Sequence, residues 1–239
     1  MSKIPALTRR ELAAFFVSPI AYIVVTVFLV IAGLWFSFGQ RYFSVESGLF
    51  AYGAAASLLN VMGVMFLFLA PLLTMRLLAE EIGSGTIETL MTAPVSNTAV
   101  VLSKFLGTFC FFVLMLIPTV AYPVMLHVIS GDAKPDTGPA IAGYFGLLLL
   151  GMMTISAGVC VSASVRNQIS AAVATTLVLA LLWVAGSAGP QAVRYLGILY
   201  HFESFTKGVI DTRDVVYFVT GTAFFLFAAV GVVAVRRWR

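Results

Sequence analysis

The 239-residue chain is 61% hydrophobic and only 10% charged, with a mean hydropathy of +1.04, where soluble domains carry roughly a quarter charged residues; the composition excludes an ordinary soluble fold and describes an integral membrane protein. The net charge of +4 does not point to nucleic acid, because the basic residues stand at the ends of apolar segments, where they set topology, rather than along one face. Cys110 and Cys160 both lie inside apolar stretches and read as free, packed thiols rather than a disulfide.

In chain order, the first element is "TRRELAAFFVSP", beginning at Thr8. Thr8 and Glu11 have capping-box spacing, Leu12, Phe15 and Phe16 share a face, and Pro19 with the residue before it marks a break. The spacing predicts an interfacial helix over 8–17 with Arg9 and Arg10 toward lipid phosphates. The apolar run from Pro19 to Gln40 is longer than the roughly 7–15 residues of a signal-peptide core and lacks a small-x-small cleavage site, so it reads as a true span. A crossing helix needs about 20 apolar residues, and six stretches qualify, at about 20–40, 54–75, 98–128, 139–164, 168–188 and 214–235, all in a single domain over 1–239. The first two turns of the third stretch, through Lys104, are expected to stand clear of the hydrocarbon.

The polar residues of these spans are Ser, Thr and Asn60, which more often pack helices than carry ions. Gly158 and Ser162 are spaced for close approach at a helix interface. His127 reads as an interfacial histidine at the outer end of the third span, and Asp211 and Asp214 as caps of the last span. With no ionisable residue at mid-membrane, an ion-coupled pump is disfavoured. Counting Lys and Arg in alternate loops with the N-terminus inside gives nine inside, including Arg76, Lys104, Arg166 and Arg236, and five outside, including Lys134, Arg194, Lys207 and Arg213. Both termini are therefore expected in the cytoplasm.

Between spans two and three lies a compact polar excursion, "EEIGSGTIETLMTAPVS", from Glu80 to Ser96. Gly83 and Gly85 end the helix that continues the second span. Ser84 or Thr86 then caps a short helix with Glu88 in its first turn and Ile87, Leu90 and Met91 on one side. Pro94 closes it, and Ser96 or Asn97 caps the third span. On the residues alone two readings stay open: an apolar knob presented to a partner above the acidic Glu80 and Glu81, or a loop resting its apolar face on the membrane. No G-x-x-x-x-G-K-[ST] occurs, and no metal-ligand cluster or Ser/His/Asp arrangement stands out, so energy for any transport must come from another chain.

Before the last span, Gly189 to Thr212 ("GPQAVRYLGILYHFESFTKGVIDT") carries more apolar and aromatic surface than a free loop needs, in Tyr195, Leu196, Leu199, Tyr200 and Phe202. An interfacial aromatic belt is the plain alternative. His201 and Glu203 are close in sequence, which is too little for a metal site.

"EEIGSGTIETLMTAPVS" followed by "VVLSKFLGT" resembles the pattern E-x-x-x-G-T-x-E-x-L-x-x-x-P-V-S…K-F-L-G of ABC-2 type transporter permeases. "RRELAAFFVSPIAYIV" resembles the elbow helix and first span of that family, especially its gliding-motility-associated branch, and "FESFTKGVIDTRDVVYF" resembles that branch before its last span. The resemblance implies an all-α integral membrane fold of six transmembrane helices, with an N-terminal elbow helix, a cytoplasmic coupling helix between helices 2 and 3, and a re-entrant outer element between helices 5 and 6. It implies that Gly83 to Thr92 is the coupling helix that docks in a separate ATP-binding subunit. There Ile87, Leu90 and Met91 would form the inserted face, and Glu80 and Glu81 would make polar contacts that relay nucleotide-dependent motion. Glu88 would either pair with a basic residue of the ATPase or stabilise its own helix. Tyr195, Leu199, Tyr200, Phe202 and Glu203 would belong to the re-entrant element.

The functional expectation that follows is a non-catalytic permease subunit of an exporter in the bacterial inner membrane. It would act as a homodimer with two copies of an ABC ATPase, among membrane lipids and with a possible periplasmic or accessory subunit. It would bind no cofactor or metal itself, ATP and Mg being held by the ATPase. The rival reading is an ATP-driven scaffold of a cell-envelope machine that transports nothing.

Overall fold

The computed structural model describes residues 3–43, 50–85, 96–129, 137–187 and 191–237, and among these there are helices and turns but no strand. In chain order the helices are α1 (Lys3–Val17), α2 (Pro19–Phe43), α3 (Phe50–Thr74), α4 (Ala79–Gly83), α5 (Asn97–Leu116), α6 (Ala121–Ile129), α7 (Thr137–Ser164), α8 (Gln168–Ser187), α9 (Gln191–Arg194), α10 (Ile198–Thr206) and α11 (Thr212–Arg237). A 3₁₀ turn over Ile117–Val120 joins α5 to α6. Six stretches are long and apolar enough to cross a membrane: Pro19–Phe38, Ala56–Gly83, Asn97–Met125, Thr137–Ser164, Gln168–Gly186 and Thr212–Arg236. This is a multi-pass membrane protein.

α7 is the central post. It packs against α3, α5, α8, α10 and α11, and its most apolar window is 72% buried, whereas those of α2, α8 and α11 are 22%, 17% and 22% buried. The outer helices present one narrow buried stripe each. On α2 the stripe is Ala21, Val24, Phe28 and Ala32 at helical spacing, and the rest of the helix, including Ile23, Val30 and Leu34, is left for lipid or protein. Close approach in the core needs small residues: a Cβ built on Gly158 of α7 would stand 2.1 Å from Oγ1 of Thr74 on α3.

Two sequence expectations change here. α1 begins at Lys3, not at Thr8. Pro5 lies within its first turn, where the amides have no intrahelical acceptor and a missing N–H costs nothing. Thr8 is therefore inside the helix rather than at its cap, and its Oγ1 is buried without a hydrogen-bond partner among the described residues. Second, α1 packs on protein along a stripe of Ile4, Leu7, Thr8, Glu11, Leu12 and Phe15, with Arg9, Arg10 and Phe16 turned out. The surface it meets is α5. Phe15 stacks on Phe111 with centroids 4.8 Å apart, and a Cβ on Gly107 would stand 2.7 Å from Cβ of Glu11 and 3.3 Å from the backbone N of Leu12. The break at Ser18, followed by Pro19 as the first residue of α2, is where the proline-based reading put it.

The α1 contact generates a test. Gly107→Val forces side-chain carbon against α1 backbone, which cannot rotate away, at a cost of about 1–3 kcal/mol. Limited trypsinolysis should then cut after Arg9 or Arg10 several-fold faster than in the parent; an unchanged rate would mean that α1 does not need this approach.

Candidate functional site

The polar excursion leaves the bundle through α4, and the structure shows what holds α4 in place. Pro71 interrupts the amide ladder of α3, and the helix ends at Thr74, with a last α-type bond from Met75 N–H to Pro71 O (2.9 Å) and then a tighter turn bond from Leu77 N–H to Thr74 O (3.2 Å). The amides of Leu78 and Ala79, at the start of α4, have no acceptor on their own strand of chain. Both donate to Oγ of Ser162 on α7, at 3.1 and 3.0 Å, and Ser162 donates in turn to Met75 O at 3.4 Å. A serine from another helix thus supplies the N-cap of α4.

Gly158 and Ser162, read from sequence as residues for an interface between helices, are consumed inside the chain. Gly158 seats Thr74 and Ser162 caps α4, and Ser162 is fully buried. They are not exposed to a partner.

The second tie is ionic. Lys104, eight residues into α5, was expected in open cytoplasm; instead α1 and α4 cover it and its side chain is 2% exposed. Its Nζ donates to Glu81 Oε1 of α4 at 2.7 Å and lies 3.4 Å from both oxygens of Glu11 on α1. One ammonium therefore bridges carboxylates from two elements. Arg10 approaches Glu11 from the solvent side at 3.0 Å. Beside this cluster, Arg76 donates from Nε to Glu80 Oε2 at 3.0 Å and from Nη1 to Ser18 Oγ, at the α1–α2 break, at 3.3 Å.

These groups line a cavity of about 780 Å³ whose other walls include Phe15, Ile20, Leu72 and Leu77. Glu80 and Glu81 thus bind elements of this chain, a role not visible in the motif.

The end of α4 divides the labour of its two glycines. Gly85 has the positive φ, 76°, that stops the helix and turns the chain. Gly83 is still helical; what it provides is clearance, since a Cβ there would stand 2.5 Å from the carbonyl oxygen of Arg166 in the α7–α8 connection. Ser84, one of the two candidate caps with Thr86, donates its hydroxyl to Glu80 O at 2.8 Å, and the amides either residue would cap lie outside the described residues. Thr86, Ile87, Glu88, Leu90, Met91 and Pro94 lie outside the described residues. Beyond them Ser96, with extended φ and ψ, caps α5 by accepting from Ala99 N–H at 3.2 Å. At this same end of the bundle Arg236 of α11 donates to Ser164 O at 2.7 Å, so the α7–α8 connection is held between α4 and the last helix.

At the opposite end, the residues read as an outer element are brought together only in part. Phe202, fully buried with Ile198 and Phe205, turns α10 toward α3, α7 and α8, its ring at Gly63 of α3 and that of Phe205 at Gly146 of α7. Tyr195 and Tyr200 are exposed and meet edge to face at 5.7 Å, Leu199 is half-buried, and Glu203 pairs with Lys207 at 2.7 Å in the open. Asp211 takes part in capping, accepting from Arg213 N–H at 2.9 Å. Asp214 does not serve merely as a cap: it is buried in the first turn of α11, and its Oδ1 meets Nδ1 of His201 at 2.6 Å. His201 in α10 and Asp214 in the first turn of α11 thus form a buried ionisable pair at this end of the bundle, away from the middle of any span. Its partners are 13 residues apart, and no spacing rule links them.

Residues 42–192, which run from the end of α2 through α8, match the family described as "ABC-2 family transporter protein". No curated protein matches the chain.

Two substitutions probe the ties on α4. Ser162→Ala leaves two buried amides without an acceptor and should cost about 2–6 kcal/mol, at about 1–3 kcal/mol for each lost partner. Lys104→Met takes the buried ammonium from Glu81 and leaves Glu11 with Arg10 on its solvent side, and should cost about 3 kcal/mol, while Lys104→Met with both glutamates changed to Gln should recover most of it. Thermal unfolding in detergent measures both, and a triple variant no more stable than Lys104→Met would show that the charges are not what matters.

Proposed function

The chain belongs to the ABC-2 family of transporter proteins, and from that premise we propose that α4 and the segment after it form the coupling element through which a separate ABC ATPase drives this membrane subunit. As a member of the family the chain is a permease subunit of an ABC transporter and works with an ATPase partner. The finer reading is an exporter built from two copies of this chain and two of the ATPase, in a bacterial cytoplasmic membrane with both termini inside. ATP and Mg belong to the partner. In this arrangement Ile87, Leu90 and Met91 enter the ATPase, Glu88 lies in the first turn of the docked helix, and closure of the ATPase pair displaces α4.

One observation carries the reading. The segment that continues into 86–95 is tied directly to α7 and α5 and, through Lys104, to α1, while Arg76 just before it reaches Ser18 at the α1–α2 break. A displacement at its tip cannot be absorbed locally and must move those elements, which is how rigid-body rearrangements are driven. Glu80 and Glu81, being engaged within the chain, act as struts of this lever rather than as contacts to the ATPase.

α10 fits the outer re-entrant element. Phe202 and Phe205 sit opposite Gly63 and Gly146, well inside α3 and α7 rather than at their ends.

The proposal is tested by co-expressing the chain with the candidate ATPase and exchanging Ile87 and Leu90 for Asp. Co-purification of the two subunits should fall at least tenfold while the membrane subunit stays folded. Undiminished co-purification, with ATPase activity still modulated by the subunit, would remove the docking assignment.

A further inference from the structure

The pair that fastens α10 to α11 is not used by any step above. His201 and Asp214 are 4% and 6% exposed, with Nδ1 2.6 Å from Oδ1 of Asp214 and Nε2 2.9 Å from the carbonyl oxygen of Tyr195. A carbonyl oxygen can only accept, so Nε2 carries a hydrogen. The Nδ1–Oδ1 contact must hold a hydrogen as well, on the ring or on the carboxyl, because otherwise two lone pairs would face each other at hydrogen-bond distance. Either way the pair contains one proton more than a neutral imidazole beside an ionised carboxylate.

The surroundings suit that count. The Tyr217 ring lies flat on the imidazole, centroids 4.0 Å apart at 20°, a placement that favours a positive ring. Oδ2 of Asp214 is buried with no hydrogen-bond partner among the described residues, so the carboxyl depends on this one contact. Around the pair, α10 carries Glu203 with Lys207, the chain entering α11 carries Asp211 and Arg213, and Arg194 stands 5.6 Å over Tyr200. α3, α7 and α8, which pack on α10, bring no charged or histidine side chain, and the Tyr144 hydroxyl of α7 is turned to Thr119. A cavity of about 220 Å³ bordered by His201, Asp214, Lys207 and Arg213 gives water access.

We infer that His201 and Asp214 form a proton-binding site, one proton per chain, and that the fastening of α10 to α11 depends on its occupancy. When the proton passes to water through the cavity, a neutral imidazole faces an ionised carboxylate. The ring can then keep its bond to Asp214 or its bond to Tyr195, but not both, and α10 loosens. The site stands on the geometry of this corner alone and does not rest on the coupling assignment.

The test is amide exchange of residues 198–206 in the full chain in lipid nanodiscs, corrected for intrinsic rates, from about pH 5 to about pH 10. Protection in the parent protein should fall at least tenfold as pH rises. In Asp214→Asn the side-chain amide donates to Nδ1 while Nε2–H still donates to Tyr195, so a neutral ring satisfies both bonds; protection should stay high and flat. His201→Gln has no titrating ring and should be less protected but equally flat, and it decides the matter if Asp214→Asn fails to fold. A parent profile flat with pH, or a fall in either variant that parallels the parent's, would overturn the site.

Discussion

The end of the bundle that carries α4 depends on one ammonium group that has been taken out of water. Removing a charge from solvent costs several kcal/mol unless it is closely paired, so the placement of Lys104 obliges Glu81 and Glu11 to come to it and brings α4 and α1 with them. The distances show an order of strength: Glu81 is held at 2.7 Å and Glu11 at 3.4 Å. The shorter, stronger bond is the one to α4. α1 is the looser partner of this ion cluster, and its own hold on α5 comes from the Phe15–Phe111 stack and the Gly107 approach.

A second constraint works alongside the charge. A helix that breaks inside a membrane protein must find partners for its freed backbone groups. At the α3–α4 break that role falls to Ser162, with one hydroxyl accepting from two amides and donating to a carbonyl. The break is therefore a joint with a defined geometry. Its angle is set by α7, the most enclosed helix in the molecule, so the direction of α4 is referred to the centre of the bundle rather than to its edge. Gly83, pressed to the Arg166 carbonyl, fixes the other side of the same short helix.

The six apolar stretches were legible in the sequence because length and hydropathy are local properties, and Ser96 and Pro19 were legible because capping and proline chemistry act within a few residues. Gly85 was legible for the same reason. The start of α1 was misplaced because a strong capping signal at Thr8 outweighed the tolerance of a first helical turn for Pro5. The ties that matter most could not be read: Lys104 and Glu11 are 93 residues apart and Ser162 and Leu78 are 84 apart, and neither pair leaves a local pattern. Ser162 and Gly158 did carry a signal, small residues spaced for close approach, but the signal does not say whose helix approaches. His201 and Asp214 were each given a separate, ordinary explanation. Only their juxtaposition across the α10–α11 turn reveals an ionisable pair.

The cap supplied by Ser162 also bears on how the molecule is made. Leu78 and Ala79 are synthesised 84 and 83 residues before the hydroxyl that satisfies them, so on a growing chain the start of α4 must keep its amides hydrated until α7 has been threaded into the bilayer beside α3. The joint is thus closed late, by the helix that also forms the post of the bundle. An emerging subunit that stalls before α7 would hold α4 unfastened, with its first amides still in water.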